Sequence, residues 1–166
     1  MKTLLVGERW SLPARDHATR FKWDVGFRQH VGLMLRLSAF QTERSCRNLK
    51  RAGLSWQSAM NLTWQGRARD TWDADLARSV ADGIKLHLAD QFDLLILAGR
   101  RVRIAFGIDD REVPLRVDKY LIVPHPSGLC RLWNDEAIVS QIRELYAAAC
   151  LDAAQAALQA KSPASL

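Results

Sequence analysis

The segment Asp93–Gly99, "DLLILAG", decides the fold class, because an unbroken apolar run between an aspartate and a glycine is typical of a strand buried on both faces. Three other short apolar runs are bounded by turn residues in the same way: "TLLVG" at 3–7, "SAMNLT" at 58–63 and "KYLIVPHP" at 119–126. Buried parallel strands lack the strict alternation of apolar and polar residues that marks a strand with one solvated face. The four runs therefore predict four buried strands.

Helical segments are predicted between and after these strands. They cover the surroundings of Phe27–Leu37, then 72–90, a short segment at 99–107 and a long one at 134–160. Strands that alternate with helices favour βαβ units with right-handed crossovers. The predicted fold is α/β, a three-layer αβα sandwich with a central, mainly parallel four-stranded sheet.

Length and composition indicate one ordered, soluble domain. The chain has 166 residues, of which 48% are hydrophobic and 25% charged, close to the averages of globular proteins. We expect a single domain over 1–160, a frayed tail over 161–166 and a monomer. The apolar run near the start is too short for a secretory signal, and no run has the roughly 18 apolar residues of a membrane span. The expected location is the cytoplasm.

The basic charge favours a nucleic-acid partner. The net charge is +6, and eighteen of the 24 basic residues are arginines, whose planar guanidinium suits bidentate contacts to phosphate. A solvated basic surface is the alternative interpretation, because net charge identifies no particular site.

The three cysteines do not form a metal-binding pattern. Cys46, Cys130 and Cys150 are far apart in the sequence, with no C-x-x-C pair and no histidine placed to complete a zinc set. We expect them to be reduced and structural, and we expect no metal.

Polar side chains follow three of the predicted strands. Glu8, Asn61 and His125 come at or just after strand ends, and open α/β sheets bind ligands beyond the carboxyl ends of their strands. Pro124 and Pro126 flank the histidine and restrict its backbone. A ligand site at this edge is predicted. The structural alternatives are a histidine capped by its own turn and a buried asparagine that satisfies a loop backbone.

Four motifs taken in order resemble those of the uracil-DNA glycosylase superfamily. They are "VGE" at 6–8, "NL" at 61–62, "GRRVRIAFG" at 99–107 and "PHPSG" at 124–128. The resemblance covers roughly residues 3–146, and the ordered set is more specific than any one motif. It implies a monofunctional DNA glycosylase that flips a base out of DNA and hydrolyses its N-glycosidic bond. The iron-sulfur branches need four cysteine ligands, which three scattered cysteines cannot supply, so no cofactor is expected.

The resemblance also implies roles for the last motif. His125 would donate a hydrogen bond to the base carbonyl, where negative charge builds as the glycosidic bond breaks. Ser127 and Gly128 would contact phosphates, and Arg131 would hold another. Leu129 would wedge into the space that the flipped base leaves, offsetting the few kcal/mol of unstacking.

Other residues would contact the base itself. By the resemblance, Asn61 reads the polar edge of the base, since an amide can both donate and accept. A phenylalanine would stack on the base: Phe27 by its spacing to "GLML", or Phe21 by its distance from Glu8. Trp10 and Trp64 fall just past strand ends, where they would stack on bases or simply pack.

The first motif departs from the family. Members with strong uracil activity carry G-Q-D-P-Y-H or G-E-A-P-G, whereas this chain has "GERWS" at 7–11. Arg9 stands where the first group has an aspartate that positions water, and an arginine cannot act as a base. Either Glu8, Asp16 or Asp24 would then handle the water, or hydrolysis would be slow.

Three functional hypotheses follow from these residues. The first is a DNA glycosylase acting on uracil or a related damaged or modified base. The second is a DNA-binding or base-binding protein on the same scaffold that does not catalyse. The third is a nucleotide-processing or nucleoside-processing enzyme that shares only the α/β layout.

Overall fold

The computed structural model describes residues 1–9, 47–63, 72–108, 113–126 and 130–161. These residues form an α/β fold in which helices pack on a mostly parallel sheet, as the sequence predicts.

In the part of the chain that the structure describes, the sheet has five strands. They are β1 (Thr3–Arg9), β2 (Ser58–Thr63), β3 (Leu94–Ala98), β4 (Leu115–Val117) and β5 (Tyr120–Val123). Their spatial order is β2-β1-β3-β5-β4, with β1 parallel to β2 and β3, and β3 parallel to β5. Because the four predicted strands are parallel neighbours, their carboxyl ends meet at one edge of the sheet.

The fifth strand corrects the predicted count of four. β4 pairs antiparallel with β5, so it forms the outer edge beside an otherwise parallel sheet. It has only three residues and follows Pro114, which gives it little sequence signal. The connection is the two-residue turn Asp118-Lys119, with Asp118 at φ 49°. Glycine or asparagine usually marks such turns, and this one has neither.

Three helices are described in full, and each lies within or near its predicted segment. They are α1 (Ala74–His87), α2 (Arg100–Ala105) and α3 (Glu136–Lys161). Residues 47–51 are also helical. The helix predicted around Phe27–Leu37 lies outside the described residues.

Aspartate side chains begin two of these helices. Asp73 accepts a hydrogen bond from the Leu76 amide at 2.9 Å, which caps α1. Just before α3, Asp135 accepts a hydrogen bond from the Ala137 amide at 2.9 Å. Such a side chain satisfies an amide that has no partner within the helix.

Apolar side chains from the sheet form two clusters. In β3 every residue is buried, and alternate residues enter different clusters because successive side chains in a strand point to opposite faces. Leu95 and Leu97 pack with residues of α1 and α2, and Leu94 and Ile96 pack with residues of α3. The prediction that "DLLILAG" is buried on both faces is confirmed.

Among the described residues no helix is both long and apolar enough to cross a membrane. Cys130 and Cys150 are free thiols and partly buried; Cys46 lies outside the described residues. α3 ends at Lys161, the first residue of the predicted tail, and 162–166 are not described.

Truncation of Leu97 to alanine is expected to destabilise the fold strongly. Leu97 is fully buried in the middle of β3. A large-to-small change there removes apolar contacts and leaves a cavity, so the free energy of unfolding should fall by about 2–5 kcal/mol. Denaturation in urea, followed by circular dichroism, measures this change.

Leu86→Ala is the matched control, since Leu86 is 75% exposed on α1. The same chemical change should alter the free energy of unfolding by no more than about 0.5 kcal/mol. Equal losses in the two variants would contradict the assignment of β3 to the core.

Candidate functional site

The candidate site lies at the carboxyl edge of the sheet, where Glu8 faces His125 and Asn61 lies on the neighbouring strand. Gly7 of β1 is paired in register with Asn61 of β2, and Glu8 follows Gly7. On the other side of β1, β3 ends at Ala98 beside Val123 of β5, two residues before the histidine. The parallel topology therefore brings three segments that are distant in sequence to one place.

Glu8 is the centre of this cluster. Its side chain is only 15% exposed, and its Oε2 lies 4.0 Å from His125 Nε2 and 3.7 Å from Arg101 Nη1. Both distances are longer than a hydrogen bond, and the contact with Arg101 joins opposite charges. The carboxylate thus lies between a guanidinium and an imidazole.

The backbone of Gly99 lies against the side chains of Glu8 and His125. An ideal Cβ at this position would lie 3.0 Å from Glu8 Oε1 and 3.1 Å from His125 Cδ2. Its φ is +108°, which L side chains rarely adopt. Glycine at the end of β3 therefore lets the carboxylate and the imidazole approach the same backbone.

Asn61 is buried against Gly7. Only 7% of Asn61 is exposed, and an ideal Cβ on Gly7 would overlap with Asn61 Oδ1. The absence of a side chain at Gly7 is what lets the amide lie against β1. The buried amide brings both a donor and an acceptor group to this edge of the sheet.

The turn that carries His125 is held from two sides. Trp133, which is 1% exposed, donates from its indole Nε1 to the His125 carbonyl oxygen at 2.8 Å. Asn48 donates from Nδ2 to the Pro126 carbonyl oxygen at 3.3 Å. The backbone of the turn is therefore fixed, while the imidazole itself is 43% exposed.

Replacing Trp133 with phenylalanine is expected to loosen this turn. The variant keeps an aromatic ring in the core but removes the donor to the His125 carbonyl. An acceptor left without its partner costs about 1–3 kcal/mol, and the free energy of unfolding should fall by that amount in chemical denaturation.

Trp56→Phe serves as its control, because Trp56 packs against the same apolar cluster as Trp133. We expect it to change the free energy of unfolding less than Trp133→Phe does. A smaller loss for Trp133→Phe than for Trp56→Phe would refute the importance of the indole hydrogen bond.

Arg101 is a member of the site that the sequence did not single out. Besides its contact with Glu8, its guanidinium carbon lies 5.5 Å from the centre of the Trp72 ring, a cation–π arrangement. Half of the Arg101 side chain is exposed. The available signal was the arginine pair directly after Gly99, at the carboxyl end of a buried strand.

The other predicted site residues are only partly covered. Arg131 is exposed in a short 3-10 turn, Arg131–Asn134, that leads into α3. Arg9 is the last residue of β1 and is paired in register with Thr63. The remaining candidates lie outside the described residues: Phe27 and its alternative Phe21, Trp10 and Trp64, Asp16 and Asp24, and Ser127, Gly128 and Leu129.

Metal-binding potential and similarity to known proteins add no further constraint on the site. Within the described parts of the chain, no group of three or more histidine, cysteine, aspartate or glutamate side chains could hold a metal ion. No protein-family model, no curated protein and no solved structure matches the chain. The function is therefore inferred from the residues at the strand ends.

Proposed function

We propose that the chain is a monofunctional DNA glycosylase that flips a uracil or a related damaged or modified base out of DNA and hydrolyses its N-glycosidic bond. The observation that carries this proposal is the placement of Glu8 Oε2 4.0 Å from His125 Nε2, at the edge where the buried Asn61 of the next strand is paired in register with Gly7. The proposal includes membership of the uracil-DNA glycosylase superfamily, with its three-layer αβα sandwich.

In this proposal His125 stabilises the departing base. When the bond between C1′ of the sugar and the base nitrogen breaks, the electron pair leaves with the base, and negative charge spreads to a base carbonyl. An imidazole N–H aimed at that carbonyl stabilises charge that exists only in the transition state. The fixed backbone at His125, held by Trp133, supports this role because the donor need not reorganise.

Glu8 acts on the sugar side of the same bond. Its carboxylate stabilises the positive charge that develops at C1′ and accepts a proton from the attacking water, whose oxygen adds to C1′. The base anion takes up a proton and leaves as a neutral base, so the products are a free base and an abasic sugar. The burial of Glu8 supports this role, because charge interactions are stronger where water is excluded.

Asn61 selects the base and the basic surface binds the DNA. An amide held rigidly by burial can pair with the ring N–H and the carbonyl of a uracil-like edge. The net charge of +6 supports association with a polyanion, with Arg131, Ser127 and Gly128 as phosphate contacts, Leu129 as the wedge and Phe27 as the stacking residue. We propose that the protein acts as a monomer in the cytoplasm, without a cofactor.

The direct test is the release of a base from labelled oligonucleotides. Single-stranded and double-stranded substrates containing uracil, hydroxymethyluracil, hypoxanthine or xanthine are incubated with the protein and then treated with alkali, which cleaves at abasic sites. We expect strand breaks at the modified position of at least one substrate. No break on any of them would overturn the proposed activity.

A second candidate is a binding protein on the same scaffold that does not catalyse. The contact between Glu8 and Arg101 favours it, because the guanidinium offsets part of the negative charge that would stabilise a positive charge at C1′. Tight binding of a modified oligonucleotide without strand breaks would favour this candidate over the glycosylase.

A further inference from the structure

Arg101 lies at the boundary between the candidate site and solvent, because its guanidinium contacts Glu8 while about half of its side chain is exposed. Its Nη1 lies 3.7 Å from Glu8 Oε2, and Trp72 lies below its guanidinium plane. The side chain is 51% exposed, whereas that of Glu8 is 15% exposed. The same cation can therefore interact with the buried carboxylate and with a ligand in solution.

The contact with Glu8 leaves the guanidinium able to bind something else. At 3.7 Å the pair is outside the range of an N–H···O hydrogen bond, so Glu8 does not take up the fork of donors that an arginine offers. Ion pairs with an exposed partner contribute little stability. A phosphate oxygen pair can accept two parallel hydrogen bonds from this planar fork, and Glu8 does not make such bonds at its distance of 3.7 Å.

We infer that Arg101 is a phosphate-binding residue that exchanges partners. In the free protein it faces Glu8, and in the complex it binds a backbone phosphate of the nucleic acid while its guanidinium stays on Trp72. This inference rests on the proposed DNA-binding function and adds a phosphate ligand to it. The geometry that supports it is the junction of a buried carboxylate, a half-exposed guanidinium and an aromatic platform at the carboxyl edge.

The exchange would couple DNA binding to the state of Glu8. When the phosphate draws the guanidinium away, Glu8 loses a cationic neighbour and its negative charge acts more strongly on the sugar. In this exchange Glu8 and the phosphate compete for Arg101. Coupling between two sites is reciprocal, so Glu8 weakens phosphate binding by the same factor as the phosphate weakens the contact between Arg101 and Glu8. That reciprocity gives a prediction that requires no catalysis.

A double-mutant cycle in DNA binding tests the exchange. Affinity for an unmodified single-stranded oligonucleotide is measured by fluorescence anisotropy between about 50 and 200 mM salt, a range over which phosphate contacts lose much of their affinity. The slope of log affinity against log salt is negative, and Arg101→Gln should make it shallower by about 0.7, the value for one phosphate on a single strand. Glu8→Gln should raise affinity about fivefold, the lower end of typical coupling, and should have no such effect when Arg101 is already glutamine.

Asp82 and Lys85 provide a matched control pair. They form a carboxylate–cation contact of 2.6 Å on α1, in the half of the helix that leads back to the start of β3, away from the carboxyl edge. Asp82→Asn and Lys85→Gln make the same changes of charge as the test variants. We expect neither to change the salt slope by as much as Arg101→Gln, and Arg101→Lys should keep the slope because it keeps the charge.

The inference is overturned if Arg101→Gln leaves the salt slope unchanged, or if Glu8→Gln changes affinity equally with and without Arg101. An absence of any binding by the unmodified protein overturns it as well. The proposed glycosylase activity is judged separately, by base release. A protein that shows the binding cycle but releases no base would keep the exchange and lose the activity, and the reverse result would do the opposite.

Discussion

Replacing His125 with alanine is expected to lower the rate of base release by about 10²–10³-fold, the usual loss when one donor to a developing negative charge is removed. The imidazole lies at the carboxyl edge, with Nε2 4.0 Å from Glu8 Oε2, where its N–H could donate to a base carbonyl. Rates measured under single-turnover conditions, with the protein in excess over a labelled oligonucleotide, isolate the chemical step. The affinity for the same oligonucleotide should change far less than the rate.

His87→Ala is the matched control, since His87 is exposed in the last turn of α1 and away from the carboxyl edge. It should retain the rate of the unmodified protein. His125→Gln should recover part of the lost rate because the amide keeps an N–H donor. Release that continues undiminished in His125→Ala would remove the histidine from the mechanism, even if the protein is a glycosylase.

The common edge at which the strand ends lie could be predicted from the sequence, because the strands themselves have strong local signals. "DLLILAG" has no polar residue between its ends, so burial on both faces was the simple interpretation, and every residue from Leu94 to Ala98 is indeed buried. Parallel strands must share one carboxyl edge. Once the strands were identified, the meeting of Glu8 and His125 followed from topology.

Features that depend on tertiary contacts could not be predicted in this way. β4 has three residues and is stabilised by pairing with β5, which no local pattern reveals. Arg101 belongs to the site because of its contacts with Glu8 and Trp72, which lie far from it in sequence. The buried contact of Trp133 with the His125 carbonyl likewise follows from the path of the chain between β5 and α3.

The two glycines of the site show how a residue without a side chain can determine function. Gly99 allows the approach of Glu8 and His125, and Gly7 allows the approach of Asn61. At Gly7, which lies inside a strand, the requirement for glycine does not come from turn geometry. Close packing of backbone and polar side chain is the physical reason, and it predicts a different outcome for a methyl group at Gly7 than at a glycine in open space.

Gly7→Ala is expected to lower the rate of base release by about 10²-fold while the protein remains folded. An ideal Cβ on Gly7 would overlap with Asn61 Oδ1, so the amide must move away from the position in which, in the proposed function, it would read the base. A displacement of about 1 Å at a reacting centre is enough for a loss of this size. Overpacking in the sheet should also lower the free energy of unfolding by about 1–3 kcal/mol, and both quantities can be measured on the same preparation.

Gly107→Ala separates the loss of a glycine from the displacement of Asn61. A Cβ at Gly107 would meet no atom within 4 Å, but its φ of +79° is unfavourable for alanine. This variant should lose about 1 kcal/mol of stability and keep its rate of base release. Asn61→Ala should be as slow as Gly7→Ala, and the double variant should be no slower than either, because both changes remove the same amide from the base. Additive losses in the double variant would mean that Gly7 supports catalysis by a route other than the position of Asn61.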